Sequence, residues 1–392
     1  MEDVGVRGRR VLVRCDFNVP LDDRLQITDD TRVRAVLPTI NYLLDEEARV
    51  VLASHLGRPK GKPVPRLSLA PVARRLSRLL DKEVRLAPDC VGPEVRHMVE
   101  QMGKGEVILL ENLRFHPGET ANDDDFAREL ASPAEVYVDD AFGNAHRTHA
   151  SMTGITRHLQ PAVAGFLMQK EVHYLSRAIN NPMRPVVAIL GGAKASDKIG
   201  LIENLANRVD KILIGGGMAG TFFRAMGLKV GKSLVEEEMV ELADRILRRA
   251  AENDVKLYLP VDVVVADKFE ASAETKVVPV QEIPDDWYAL DIGPATTTLF
   301  GEALQGAKTI VWNGPMGVFE VDAFSRGTFA IVSHVANSYA LTIVGGGDTD
   351  VAVHAAGESS KISYISTGGG AFLELLEGKE LPALAALTDK KV

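Results

Sequence analysis

Cysteine is scarce in this chain: Cys15 and Cys90 are the two in 392 residues, far apart and in no paired spacing. That argues against a disulfide framework or a zinc site and points to a reducing compartment, which we take as the cytoplasm. Long apolar runs are missing too. Nowhere do about 18 apolar residues follow one another, and the N-terminal MEDVGVRGRRVLVRCDF has no extended apolar stretch after its basic residues. We therefore expect neither a signal peptide nor a membrane span. An excess of positive charge is also lacking, since the formal net charge is -9, which disfavours nucleic acid or an anionic membrane as partner. Low-complexity tracts, disordered tails and short-period repeats are not found.

What is present fits a soluble chain of about two domains, with 46% apolar and 25% charged residues. Short β-rich runs alternate with helical patterns, the signature of parallel βαβ units. The expected strands are 11–17, 50–56, 107–113 and 136–141 in the first half, then 186–192, 211–217, 288–292, 309–314, 341–347 and 361–366 in the second. Several are nearly continuous in Val, Ile and Leu, as strands covered on both faces must be. Between the sets, Leu167, Met168, Val172, Leu175 and Ile179 recur at helical spacing before Pro182 and Pro185. This predicts a helix and hinge joining two α/β domains with mainly parallel, Rossmann-like sheets.

Ligands of open α/β sheets sit beyond the carboxyl ends of the strands, and there the two halves differ. First-half strands are followed by Arg14, Asp16 and Asn18, by His55 and Arg58, by Asn112 and Arg114, and by His146, Arg147 and His149; Arg32 opens the first helix. Guanidinium forks match phosphate and carboxylate oxygens, so convergent arginines predict a multiply charged anion. Any single arginine could equally pair with Asp16, Glu111 or Asp140, and any single histidine could be a satisfied structural group. Second-half strands are followed by glycine turns: GGAKASDK (191–198), GGGMAG (215–220), DIGPATT (291–297), NGPMGVFE (313–320), GGGDT (345–349) and TGGGA (367–371). One Gly-Gly turn is usually mere chain reversal. Five or six on one sheet edge suit a nucleotide and its phosphates, because glycine admits close backbone approach and helix N-termini attract negative charge.

Two lesser motifs compete. GGGMAG satisfies G-x-G-x-x-G, with Glu236 to Glu238 where a ribose-binding acid would lie, and leaves a nicotinamide-dependent dehydrogenase formally open. GLKVGKS (227–233) lacks a Walker loop because Met226 stands where a glycine is needed. A non-catalytic metabolite sensor or scaffold is a third reading.

In their order, RCDFNVP, SHLGRP, ENLRFHPGE, DAFGNAHRTHAS, LGGAK, NGPMGVFE, GGGDT and STGGGA resemble the phosphoglycerate kinase family over practically the whole chain. Small departures are Cys15, where valine is common, and Asn144 and Thr148. The resemblance implies an N-terminal acid-substrate domain (1–167), an interdomain helix and hinge (168–184), a nucleotide domain (185–375) and a tail (376–392) returning to the first domain. It implies that 3-phosphoglycerate or 1,3-bisphosphoglycerate is held by Asp16, Phe17, Asn18, Arg32, His55, Leu56, Gly57, Arg58, Arg114 and Arg147. It implies a nucleotide site, for ATP or ADP, of Gly191, Gly192, Ala193, Lys194, Lys198, Gly215, Gly216, Asn313, Pro315, Glu320, Gly346, Gly347, Asp348 and Thr349, with Mg2+ at Asp348. Arg32, Lys194, Gly369 and Gly370 are the implied catalytic groups of a monomeric glycolytic enzyme. Transfer would be direct and in line, with hinge-bending closure. The acceptor would be a carboxylate, ionised at neutral pH with a reference pKa near ~4, so no general base is needed.

Overall fold

The computed structural model describes residues 1–206 and 208–388; the last four residues of the expected C-terminal tail lie outside the described residues. The chain forms two compact units. One comprises Met1–Val172 and the described residues from Glu380 on, and the other His173–Lys379. The helix Phe166–Ile179 contains the point of division.

In the first unit, strands β1 (Arg10–Cys15), β2 (Arg49–Ala53), β3 (Val84–Leu86), β4 (Val107–Leu109), β5 (Val136–Asp140) and β6 (Ala162–Ala164) form one sheet in the order β3-β4-β2-β1-β5-β6. Every pairing is parallel. The period-two geometry of a strand sends alternate side chains to opposite faces. Val11, Val13, Val50, Leu52, Val136 and Val138 accordingly join one apolar cluster, while Leu12, Val51 and Tyr137 join another. Each face is covered by helix. Thr31–Asp45 buries Val33, Val36, Ile40 and Leu43 at helical spacing against the first cluster, and Asp124–Ala131 lays Phe126, Ala127 and Leu130 on the second. The latter helix is capped by Asp123, whose carboxylate accepts from the Phe126 amide at 2.8 Å. The C-terminal segment joins the same unit: Ala383 N–H donates to the Ala145 carbonyl and Thr388 N–H to that of Ala162.

In the second unit, β7 (Val186–Leu190), β8 (Lys211–Ile214), β9 (Lys256–Tyr258), β13 (Thr309–Asn313), β14 (Leu341–Gly345) and β15 (Tyr364–Ile365) form a parallel sheet ordered β15-β14-β13-β7-β8-β9. A smaller antiparallel sheet, β11-β10-β12, comprises β10 (Asp262–Ala266), β11 (Thr275–Pro279) and β12 (Tyr288–Ile292). The strand order reverses between β1 and β5 in one unit and between β7 and β13 in the other, so each sheet has a switch-point crevice at its carboxyl edge.

The two-domain α/β class with mainly parallel sheets is the observed one, and the details differ instructively. Run 107–113 pairs only as far as Leu109, yet Leu110 and Leu113 are fully buried in the loop beyond. The apolar run signalled burial rather than ladder pairing. Strand 288–292 belongs to the small antiparallel sheet, so the DIGPATT turn does not share the edge of the other glycine turns. Strands β10 and β11 escaped notice because their connection, DKFEASAE (267–274), has neither Gly nor Pro to mark a turn.

Trp312 of β13 is wholly buried, and its indole N–H donates to the Gly314 carbonyl at 2.8 Å, bracing the loop at the switch point. Trp312→Phe is expected to cost about 1–3 kcal/mol, because a buried carbonyl loses its donor. An unchanged urea midpoint for unfolding of this variant would show that the loop does not depend on that bond.

Candidate functional site

At the carboxyl edge of the first sheet, hydrogen bonds between loops set the geometry. Phe17 is buried and its amide donates to Ser54 Oγ at 2.8 Å; that hydroxyl donates to the Cys15 carbonyl at 2.8 Å, joining the ends of β1 and β2. Gly57 adopts φ +63°, a conformation suited to glycine, and a Cβ there would lie 2.8 Å from the Leu67 side chain. Its amide donates to Asn18 Oδ1 at 2.8 Å and its carbonyl accepts from Arg114 Nη1 at 3.0 Å. One residue thus links the loops after β1, β2 and β4. Asn112 adds a second link: its Nδ2 donates to the Leu56 and Leu67 carbonyls, and its Oδ1 accepts from the Arg114 amide.

The cationic groups sit on this frame. Arg32 reaches Asp16 Oδ2 at 3.2 Å and the Asn18 carbonyl at 3.1 Å, with its side chain about one-third exposed. Arg58 is exposed, and Arg114 and Arg147 are partly to largely buried. The buried Nε atoms of Arg114 and Arg147 have no hydrogen-bond partner among the described residues. Burial, followed by the neighbouring charges of Arg14 and Arg147, pulls the Arg114 pKa down to about 10. Burial likewise holds His55 well below its usual range, reinforced by Arg14, Arg114, Arg147 and Arg32. Four guanidinium groups therefore act on one imidazole. An oxyanion placed among Arg32, Arg114 and Arg147 gains charge-assisted hydrogen bonds and relieves their mutual repulsion.

Arg14 stands apart from this set. It is fully buried; its Nε donates to Ser151 Oγ at 2.8 Å, Nη1 to the Cys15 carbonyl, and Nη2 to His55 Nδ1 at 3.2 Å. Arginine only donates, so His55 Nδ1 accepts and the imidazole proton is on Nε2. Ser151 passes the contact on to buried Glu119, its amide and hydroxyl donating to the carboxylate at 2.9 and 2.7 Å. Arg14 is thus a support behind the site. Of the local pairings considered, Arg32 with Asp16 is present, whereas Glu111 instead accepts from Ser68, Leu69 and Asn112. The Glu119 contribution was missed in the sequence although it lies in ENLRFHPGE, because nothing local announces that an acid is buried.

In the second unit, five glycine turns follow the neighbouring strands β15, β14, β13, β7 and β8. Three of them interlock backbone to backbone. Gly192 N–H donates to the Pro315 carbonyl, Gly216 N–H to that of Met316 and Met218 N–H to that of Gly192. A Cβ on Gly216, at φ +68°, would stand 2.6 Å from the Gly192 backbone, so a side chain there would force the loops apart. Lys198 is buried, and its ammonium donates to the Gly191 carbonyl and, at 3.3 Å, to that of Asn313. Burial lowers its pKa to about 8, while Asp197 and Asp348 act in the opposite direction. Lys194 is exposed on the same loop; against the opposing effect of burial, hydrogen bonds from Ser196 and Ala195, then the Lys194 charge, hold the Glu236 carboxyl low.

Two helix N-termini lie side by side here. Gly347–Ala355 begins after Gly346, Gly369–Leu376 begins after Gly368, and a Cβ on Gly369 would be 3.5 Å from Gly346 Cα. Thr349 Oγ1 accepts from the Gly314 amide at 2.7 Å, and Asn313 Nδ2 donates to the Gly345 carbonyl at 2.7 Å, tying this cradle to β13. Beside it opens a cavity of about 460 Å³ with Leu234, Phe269, Tyr288 and Val318 on its apolar wall, Gly192, Ala193, Gly216 and Pro315 at its glycine turns, and Glu320 and Asp348 among its polar groups. Gly215 lies on β8's turn against Met316. The apolar wall was not anticipated, since those side chains come from four separate stretches of the chain, with only Tyr288 on a strand of the small antiparallel sheet. GGGMAG contributes to the cavity, but Glu236 accepts from Ser196, and Gly220 is required by the 2.3 Å approach of the Leu234 carbonyl to its Cβ position.

A guanidinium cluster suited to oxyanions on one parallel-sheet unit, with an apolar slot opening onto paired helix N-termini on the other, defines a two-domain α/β phosphotransferase. The family model described as phosphoglycerate kinase matches residues 1–379. Phosphoglycerate kinases of Geobacter metallireducens and Aquifex aeolicus are 64% and 58% identical, over 98% and 100% of this chain and 96% and 98% of theirs. A solved phosphoglycerate kinase from Coxiella burnetii superposes with TM-score 0.89 at 44% identity, covering 98% of this chain and 97% of its own. The chain belongs to the phosphoglycerate kinase family.

His149, beside Glu119 at 3.7 Å, is pulled to a pKa of about 4 by burial and then by Arg114, Arg147 and Arg14. Its unfolded value is near ~6.5. Stability from its neutral form is therefore complete above pH ~6.5 and is lost as pH falls through about 4. In NMR titrations His149 should titrate near that lower value in the free protein and shift upward with 3-phosphoglycerate. An unshifted pKa near ~6.5 in the free protein would contradict the clustered field.

Proposed function

We propose that this chain catalyses reversible phosphoryl transfer between 1,3-bisphosphoglycerate and ADP, giving 3-phosphoglycerate and ATP, as a cytoplasmic monomer in glycolysis. The observation that carries the acid half of this reading is the placing of Arg32, Arg114 and Arg147 on the loops at one sheet edge, with buried, unpartnered Nε atoms on Arg114 and Arg147. Arg32, Arg58, Arg114 and Arg147 bind the acid's anionic groups, with Asp16, Asn18 and His55 orienting them. Phe17, Leu56 and Gly57 hold the loops in register. In the other unit the apolar slot takes the base, Glu320 the ribose, and the turns at Gly191–Ala193, Gly215–Gly216, Asn313, Pro315 and Gly346–Thr349 the phosphates.

Mg2+ fits the residues present, because Asp348 offers one exposed carboxylate at the cradle and this ion is typically held by one or two carboxylates plus substrate phosphates. When bound, it neutralises phosphate charge. Arg32 and Lys194 stabilise charge on the moving phosphoryl group, and the helix N-terminus at Gly369 and Gly370 adds backbone donors. Lys198 keeps the turns together and supplies a further positive charge. No side chain need take a proton, since the acceptor carboxylate is already ionised. Carriage of the two substrates on different units supports closure about the interdomain helix and hinge (168–184), which would align donor and acceptor and exclude water.

A coupled assay with MgATP and 3-phosphoglycerate should show turnover; tight NADH binding without MgADP binding would favour a dehydrogenase instead. Arg32→Ala and Lys194→Ala should each lower kcat by on the order of 10² to 10⁵. Wild-type turnover in either would remove that residue from catalysis. Small-angle scattering should show compaction only with both ligands present, and equal dimensions in all states would dismiss the closure.

A further inference from the structure

One chemically mixed cluster in the first unit is not used by this reaction. Asp89 and Cys90 lie between β3 and the helix Pro93–Glu100, and His116 lies immediately before the helix Pro117–Ala121. One potential ligand atom from each, a carboxylate oxygen, Sγ and an imidazole nitrogen, all lie within 4.8 Å of one another. The spacing of the two cysteines shows none of this, because the fold, not the local sequence, brings His116 to the pair.

The three groups are held in place both by bonds to one another and by contacts from outside the cluster. His116 Nε2 is 2.7 Å from Asp89 Oδ1, and its ring stacks on Phe126 with centroids 5.4 Å apart and planes 29° apart. The Cys90 amide donates to the same carboxylate oxygen at 2.6 Å, and the Glu111 amide donates to the Asp89 carbonyl at 3.3 Å. Cys90 is 2% exposed, whereas the His116 and Asp89 side chains are partly open to solvent. A hollow of about 590 Å³ lined by His116, Val91, Phe126 and Asp123 gives an ion a route to the cluster.

We propose that Asp89, Cys90 and His116 form a binding site for a borderline-soft divalent cation, zinc being the best match. Sulfur, imidazole nitrogen and carboxylate oxygen together select such an ion over Mg2+ or Ca2+, which take oxygen ligands. Zn–S near ~2.3 Å and Zn–N near ~2.0 Å require the donors to stand roughly 3–4 Å apart, which small side-chain rotations within the cluster supply. Binding is balanced as follows. The Cys90 thiol releases its proton to solvent as sulfur donates an electron pair to the metal. His116 coordinates through a deprotonated Nε2, its remaining proton on Nδ1, and the short Asp89–His116 hydrogen bond is exchanged for two metal bonds. Water fills the fourth position. His116 follows the turn Leu113–Phe115, which contains Arg114, so an ion here pins the segment carrying one of the acid-binding arginines.

The test is titration of chelator-stripped full-length protein with Co2+ alone. One equivalent should produce tetrahedral d–d bands in the visible and a thiolate-to-cobalt charge-transfer band in the near ultraviolet. Zn2+ should displace both and raise the unfolding temperature, while excess Mg2+ should do neither. Cys90→Ser should abolish the charge-transfer band. His116→Asn should weaken binding at least about tenfold, a loss that even outer-shell changes around such ions produce. Should Cys90→Ser fail to fold, His116→Asn and Asp89→Asn, whose side chains are partly exposed, decide the matter. Absence of the charge-transfer band in wild type, its persistence in Cys90→Ser, or full affinity in both other variants would overturn the assignment.

Discussion

Strands covered on both faces have no room for polar chemistry along their length, and this constraint organises the molecule. Valines, isoleucines and leucines fill the strands of both parallel sheets, so charged and backbone-rich recognition is confined to the carboxyl edges. There the free peptide groups of the strand ends need partners. In the first unit Gly57, Asn18, Asn112 and Ser54 supply them, and in the second the Gly192, Gly216, Pro315 and Met316 backbones do, with the Lys198 ammonium between two carbonyls. Each switch point is thus a stitched surface before any ligand arrives.

The two surfaces recognise anions by different physics. The first concentrates full positive charges in a chain whose net charge is -9, and it tolerates them through Asp16 in front and Glu119 behind. Arg14 shows the limit of that tolerance: once fully buried it is consumed by Ser151, His55 and a carbonyl and becomes structure. The depressed pKa values of His55, His149 and Arg114 follow first from burial and then from this crowding. The second surface relies on dipoles and close approach. Adjacent helix N-termini and positive-φ glycines present backbone donors, and the exposed carboxylate of Asp348 suits a cation that arrives with the phosphates.

Much of this could be read without coordinates because its signals are local. Arg32, Arg58, Arg114 and Arg147 follow apolar runs, and the glycine turns follow theirs, so strand ends and their polar residues are visible together. The α/β class was legible for the same reason. Less could be read where partners come from distant segments. The antiparallel sheet hid behind DKFEASAE, the wall of Leu234, Phe269, Tyr288 and Val318 shares no motif, and YALDI carried no mark separating it from the parallel strands.

The amino-acid order alone determined where most apolar strand cores lie, and that cationic and glycine-rich ends are segregated between the halves. Burial periodicity and turn chemistry act over a few residues, so they survive in one dimension. Only the tertiary structure decided that Arg14 supports while Arg32 remains accessible, that Glu119 sits behind the arginines, that Lys198 is spent on carbonyls, and that His116 meets Asp89 and Cys90. Desolvation and charge–charge distances depend on which loops the sheet order brings together, and no local stretch of sequence contains them.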